Sequence, residues 1–177
     1  MRAQAALSLL AAMSCVCCAA ESIPREPATS EIKDMVNSID AQLKTLNRSR
    51  VMLQTGTDRG GELTIYRRGS DVVRIDAIIG GSSSDLQDTF YYSGANVVFV
   101  RTRTVTYPYS SILNTFDFAN PHVKSAADYY VRSRKLIPIG RAKVAPSVTS
   151  KLLQEAELFM TAIRRGKQAV DIEKLLK

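Results

Sequence analysis

His122 is the only histidine in the chain. Imidazole titrates close to neutral pH, so this residue is the first place to look for acid–base chemistry. It follows Pro121 in an irregular stretch, and no nucleophile is placed beside it in the sequence. No Gly-x-Ser-x-Gly elbow is present, so serine-hydrolase chemistry lacks its presented hydroxyl. The three cysteines are Cys15, Cys17 and Cys18. One histidine, with no cysteine after residue 18, does not make the ligand set of a standard zinc site. Neither a metal, a cofactor nor a catalytic residue is therefore expected. The loop Gly80 to Asp85, GGSSSD, offers backbone N–H groups suited to a phosphate or a glycan. It lacks the lysine and the strand-to-helix setting of a phosphate loop, and reads as a connection between hairpins. Asp71, Asp76, Asp85 and Asp88 are scattered around the turns. Glycoside hydrolysis needs two carboxyl groups at a fixed separation in space, so an enzyme acting on cell-envelope glycans through Asp/Glu pairs is the catalytic alternative.

Arginines and rings are better placed for binding. On a strand over 96–107, Val98, Val100, Thr102 and Thr104 point one way, and Phe99, Arg101, Arg103, Val105 and Tyr107 the other. Arg74 holds the place in one hairpin that Phe99 holds in the next. Arg74, Phe99, Arg101 and Arg103 are the candidate binding residues. Guanidinium forks and flat rings suit an anionic or carbohydrate-bearing partner. The plainer reading is a solvated sheet face whose charges block aggregation. Arg67, Arg68, Arg132, Arg134 and Lys135 cluster at hairpin tips.

The elements that must position these residues follow from periodicity. Thr29 and Ser30 are N-cap candidates. Ile32, Met35, Val36, Ile39, Leu43 and Leu46 then recur at helical spacing, which predicts an amphipathic helix of about 17 residues. Residues 54–62 read as a loop. Strands are predicted at 63–67, 72–79, 89–92 and 96–107, with a tight turn at Ser93-Gly94-Ala95. Three segments align without gaps: IYRRGSDVVRID (65–76), FYYSGANVVFVR (90–101) and DYYVRSRKLIPI (128–139). Each has tyrosine in second place (Tyr66, Tyr91, Tyr129), which suggests a repeated hairpin. Residues 108–127 read as a long loop or a short helix near 122–128. Pro146-Ser147 starts a second helix with Val148, Leu152, Leu153, Ala156, Phe159, Met160 and Ile163 on one stripe, Glu155 and Glu157 facing away, and Gly166 as its stop. A further short helix is expected at 168–176.

Residues 1–20 stand apart. Arg2 supplies one positive charge, Ala5 to Ala20 carries none, and the stretch ends in small residues before Glu21. These are the parts of a cleavable export signal, followed by a flexible linker at 21–28. In the lipoprotein alternative, Cys15 carries a lipid anchor and the protein is a membrane-anchored, structural one. Either way no later stretch reaches membrane-spanning length. The chain holds 24 Lys and Arg against 17 Asp and Glu, a net charge of +7, of which residues 1–20 contribute one. Such a balance favours anionic surfaces.

The sequence thus predicts a single α+β domain over 29–177. It is an antiparallel β-meander of repeated hairpins, packed on one face by an N-terminal and a C-terminal amphipathic helix. The function expected is that of a periplasmic or secreted, non-enzymatic binding or interaction protein, of the kind to which inhibitors and immunity proteins belong. It would use the basic-aromatic sheet face. The partner expected is a protein or an anionic envelope component, not nucleic acid.

Overall fold

The structure, a computed structural model, describes residues 27–140 and 144–173. The expected export signal, with Cys15, and the linker up to residue 26 lie outside the described residues. The class is α+β. Helix α1 (Thr29–Ala41) is followed by strands β1 (Asn47–Gln54), β2 (Gly61–Arg68), β3 (Asp71–Gly80), β4 (Ser84–Ser93) and β5 (Asn96–Thr106). A small separate hairpin, β6 (Tyr109–Ser110) and β7 (Thr115–Phe116), interrupts the series. Strands β8 (His122–Arg132) and β9 (Lys135–Pro138), helix α2 (Pro146–Arg164) and strand β10 (Ala169–Asp171) complete it. The main sheet has eight strands in the order β10-β1-β2-β3-β4-β5-β8-β9. All neighbours are antiparallel except β10, which runs parallel to β1.

The two helices do not share a face. Ile32, Val36 and Ile39 of α1 pack with Val73, Tyr91, Val98 and Phe99. Leu152, Leu153, Ala156, Phe159 and Met160 of α2 pack with Ile75, Phe90, Tyr92 and Val100. Successive residues on a strand point to opposite faces, so Phe90, Tyr91 and Tyr92 alternate between the two cores. The expectation of both helices on one face is corrected accordingly. The sheet is apolar on both sides where a helix lies over it, and that doubled burial is why β4 reads Phe-Tyr-Tyr without a polar break.

Two β-bulges set the faces. Tyr66 pairs with Arg74 and Arg67 with Val72, leaving Val73 as the extra residue. Tyr91 pairs with Phe99 and Tyr92 with Val97, leaving Val98 as the extra one. Each bulge lets two consecutive residues, Val73-Arg74 and Val98-Phe99, lie on the α1 side. Simple alternation had placed Val98 with Val100; the bulge separates them. Gly69 and Gly94 open the two turns with φ of 61° and 59°, which a side chain would resist. The hairpin β8–β9 differs. Its closing pair is Arg132–Lys135, one residue later in the aligned segment, and its turn residues Ser133 and Arg134 both have positive φ. A slip of one residue exchanges faces. Tyr130, not Tyr129, therefore joins Tyr66 and Tyr91 on the α1 side, while Tyr129 packs on the α2 side.

Other boundaries move. Helix α1 ends at Ala41, because Thr45 folds its N–H and its hydroxyl back onto the Gln42 carbonyl, both at 2.9 Å. Leu43 and Leu46 still pack on the α1 core from the turn beyond it. Residues 122–127, read as loop or short helix, belong to a strand that runs on to Arg132 and pairs along β5. Residues 169–171, read as helix, are β10, held by Met52 N–H to the Gln168 carbonyl (3.2 Å) and Ile172 N–H to that of Gln54 (3.0 Å). β1 had no counterpart in the pattern, because polar Asn47 to Arg50 precede its two inward residues, Val51 and Leu53.

Candidate functional site

The register places the candidate arginines in rows across the α1 side of the sheet. One row runs Arg48, Tyr66, Arg74, Tyr91, Phe99, Tyr130. The next runs Arg50, Thr64, Asp76, Thr89, Arg101, Asp128. A third runs Met52, Glu62, Ile78, Gln87, Arg103, Ala126. The C-terminal turn of α1 comes down over the first row and brings Asp40 onto it.

Asp40 joins two arginines and a buried phenol. It accepts from Arg74 Nη1 at 2.6 Å, from Tyr91 Oη at 2.7 Å and from Arg101 Nη1 at 3.4 Å. Arg74 also forks onto Asp76, through Nε at 2.6 Å and Nη2 at 2.8 Å. Arg101 reaches Asp128 through Nε at 3.1 Å. Burial works against the Arg74 charge, but Asp76, Tyr91 and Asp40 outweigh it and leave the pKa above its ordinary value. The Tyr91 phenol is likewise pushed up, first by burial and then by its hydrogen bond to Asp40. These arginines are committed to holding α1 on the sheet.

Exposure separates the four candidates. Phe99 is 4% exposed and lies edge-on between Tyr91 (5.5 Å) and Tyr130 (5.6 Å). It is a core residue and offers no contact area. The Arg74 side chain is 13% exposed and that of Arg101 25%. Arg103 is exposed, and among the described residues it makes no ion pair. Arg74, Arg101 and Arg103 nonetheless line one hollow of about 150 Å³, with Asp76, Ile78, Gln87 and Thr89. Its floor is sheet, and Arg103 stands at its open edge.

Sequence reasoning missed the acidic half of this site. Asp40 sits at i+1 from Ile39, just off the apolar stripe, where a carboxylate near the helix C-terminus is unfavourable unless cations meet it. That misfit was the available signal. Replacing Asp40 by alanine should cost about 1–2 kcal/mol, reduced from the fully buried case because Asp40 keeps 32% of its surface. Urea unfolding would read this, and an unchanged midpoint would mean that Asp76 and Asp128 hold the arginines without it.

A second acidic feature lies on the other face. Glu155 is 1% exposed, against the expectation that it faces away. It is three residues from Leu152 and four from Phe159, so it belongs to the inward stripe of α2. Neither carboxylate oxygen has a hydrogen-bond partner, and Lys151 Nζ stands 3.9 Å away. Burial, reinforced by Asp88, raises its pKa to about 7. Burial likewise raises Asp88, 8% exposed, to about 6.

His122 is exposed at the start of β8. The Gly80 to Asp85 loop is closed by Gly81 N–H to the Ser84 carbonyl at 2.7 Å, and Asp85 accepts from Arg59 Nη1 at 2.9 Å and from Tyr107 Oη at 2.6 Å. Among the described residues no group of three or more His, Cys, Asp and Glu side chains is arranged to hold a metal ion, and no helix is long and apolar enough to cross a membrane. Comparison of the chain with protein-family models, with curated proteins and with solved structures finds no match.

Proposed function

We propose that this chain is an exported, non-enzymatic binding protein, of periplasmic or secreted location, whose contact surface is the part of the α1-side sheet face that α1 leaves open. One observation carries the reading. Beyond the Asp40 network the same face continues as a row that includes Met52 at 70% exposure, Glu62 paired with Arg50, Ile78 at 41%, the half-buried Gln87 and Arg103, which makes no ion pair among the described residues. Aliphatic area beside a cation without a counter-ion is the composition of a contact patch for a protein or an anionic envelope component. Arg74 and Phe99 drop out of that surface, and Arg101 belongs to its inner edge. The glycan-acting alternative has less support: Asp88 and Glu155 are sealed beneath α2, and Asp40, Asp76 and Asp128 are engaged by arginines.

Charge reversal tests the patch. Arg103→Glu should weaken partner capture from the exported fraction at least tenfold while changing stability by less than about 0.5 kcal/mol, as an exposed substitution does. Capture that survives Arg103→Glu and Ile78→Asp together would reject this face.

A further inference from the structure

The excursion between β5 and β8 has no role in the sheet-face reading. Its ten residues from Tyr107 to Phe116, YPYSSILNTF, contain no charged side chain, in a chain that is 23% charged. The hairpin β6–β7 closes with Tyr109 opposite Phe116, their rings edge-on at 5.6 Å. Tyr109 Oη donates to Asn114 Oδ1 at 2.6 Å, and Leu113 N–H donates to Ser110 Oγ at 3.2 Å. Its tip is therefore tied down. At that tip stand Ile112, 93% exposed, and Leu113, 63% exposed. Turn tips ordinarily carry Gly, Asn, Asp, Pro or Ser, which satisfy the backbone and meet water. Two adjacent aliphatic side chains there, held out by a braced hairpin, are an apolar point that none of the described residues covers.

The root is built differently. Tyr107 and Phe118 meet edge-on with centroids 4.8 Å apart, and Arg59 lies 4.2 Å above the Phe118 ring while pairing with Asp85. Polarity is thus graded along the projection: aliphatic at the end, then Tyr109 at 58% exposure with its hydroxyl, then charge. This is the order of environments met on entering a bilayer, where aromatic residues sit at headgroup depth and aliphatic ones below. From the Tyr109–Phe116 pair to the tip is two to three residues, part of them turn, so the reach is at most roughly 7–10 Å at the strand rise of about 3.3 Å each. Interfacial segments bury their apolar face by about 5–10 Å. The net charge of +7 adds attraction to anionic headgroups.

We infer that the β6–β7 hairpin is a lipid-contacting finger, which inserts Ile112 and Leu113 into the interface of a bilayer. The inference is independent of the sheet face, since the two surfaces share no residue. Two side chains give a weak, reversible attachment.

The chain contains no tryptophan, so Leu113→Trp introduces the only indole, which can be excited apart from the seven tyrosines, at the tip. The full chain with this substitution is mixed with phosphatidylcholine vesicles, with and without a phosphatidylglycerol fraction. Expected are a blue shift of the indole emission, quenching by acyl-chain bromine, and stronger partitioning onto the anionic vesicles at low salt. Adding Ile112→Asp should reduce partitioning about tenfold or more. Circular dichroism should be unchanged by either substitution, as both side chains are exposed. Emission that stays unshifted and unquenched at high lipid overturns the finger. So does partitioning that Ile112→Asp leaves intact, or a blue shift that only a protein partner produces.

Discussion

Glu155→Leu should stabilise the protein at pH 8 by about 1–4 kcal/mol and by distinctly less at pH 5. The wild-type side chain buries a carboxyl group whose oxygens have no hydrogen-bond partner. Burial holds its pKa at about 7, with Asp88 at about 6 nearby. In the unfolded chain both groups return to the ordinary carboxylate range near pH 4. The folded state therefore keeps protons that the unfolded state has released. The contribution is fully present below about pH 4, falls as pH rises through 6 and 7, and for Glu155 amounts to at most about 3 kcal/mol. Lys151 limits the loss from one side by its charge at 3.9 Å. Leucine has no proton to lose and fills the same space, so the substitution should flatten the pH dependence as well as raise its alkaline end. Urea midpoints at pH 5 and pH 8 for wild type, Glu155→Leu and Asp88→Asn would decide it. A wild type more stable at pH 8 than at pH 5 would refute the buried-acid reading.

Why Glu155 escaped a reading of the sequence, when the rest of α2 did not, is a matter of what periodicity registers. The helix was legible from Leu152, Leu153, Ala156, Phe159 and Met160, and its ends from Pro146 and Gly166. A charged residue on the inward stripe is discounted by habit, because acids are seldom buried. Its position was fixed by arithmetic all the same. β8 was hidden for the opposite reason. His122 to Ala126 are exposed, so that half of the strand carries no apolar alternation, and only its pairing with β5 makes it a strand. The make-up of the α1 core depended on two bulges that no period of two can show. Val73 and Val98 each sit where a Val-Val pair follows a tight turn, and the shift there put Val98 beside Phe99 on the α1 side, where the helix covers both. Arg101 and Arg103 come after the bulge and kept their relative placement. What the sequence could not separate was which arginines were already spent. That was set by Asp40, 34 residues from Arg74 and 61 from Arg101.

Phe159→Ala should cost about 3–5 kcal/mol, the range for removing a fully buried ring. Phe159 and Phe90 are both 0% exposed, with ring centroids 5.7 Å apart and planes at 77°. Phe90 lies on β4, inside the eight-stranded sheet, and Tyr92 of the same strand donates to the Ala156 carbonyl at 3.1 Å. Leu153 and Met160 flank the pair on α2, and the chain beyond the helix feeds Val170 and Ile172 into the same core. The cavity would therefore open where helix and sheet meet, in a tightly packed part of the α2 core. The α1 face has a smaller core with a charged network at its rim, and α1 itself supplies no ring: its aliphatic Ile32, Val36 and Ile39 meet Tyr91 and Phe99 of the sheet. Because the lost contact joins α2 to a central strand, unfolding of the variant should remain a single transition, shifted as a whole. A loss below about 1 kcal/mol would show that α2 carries little of the stability, and a biphasic transition with helical signal lost first would show that it docks as a separate unit.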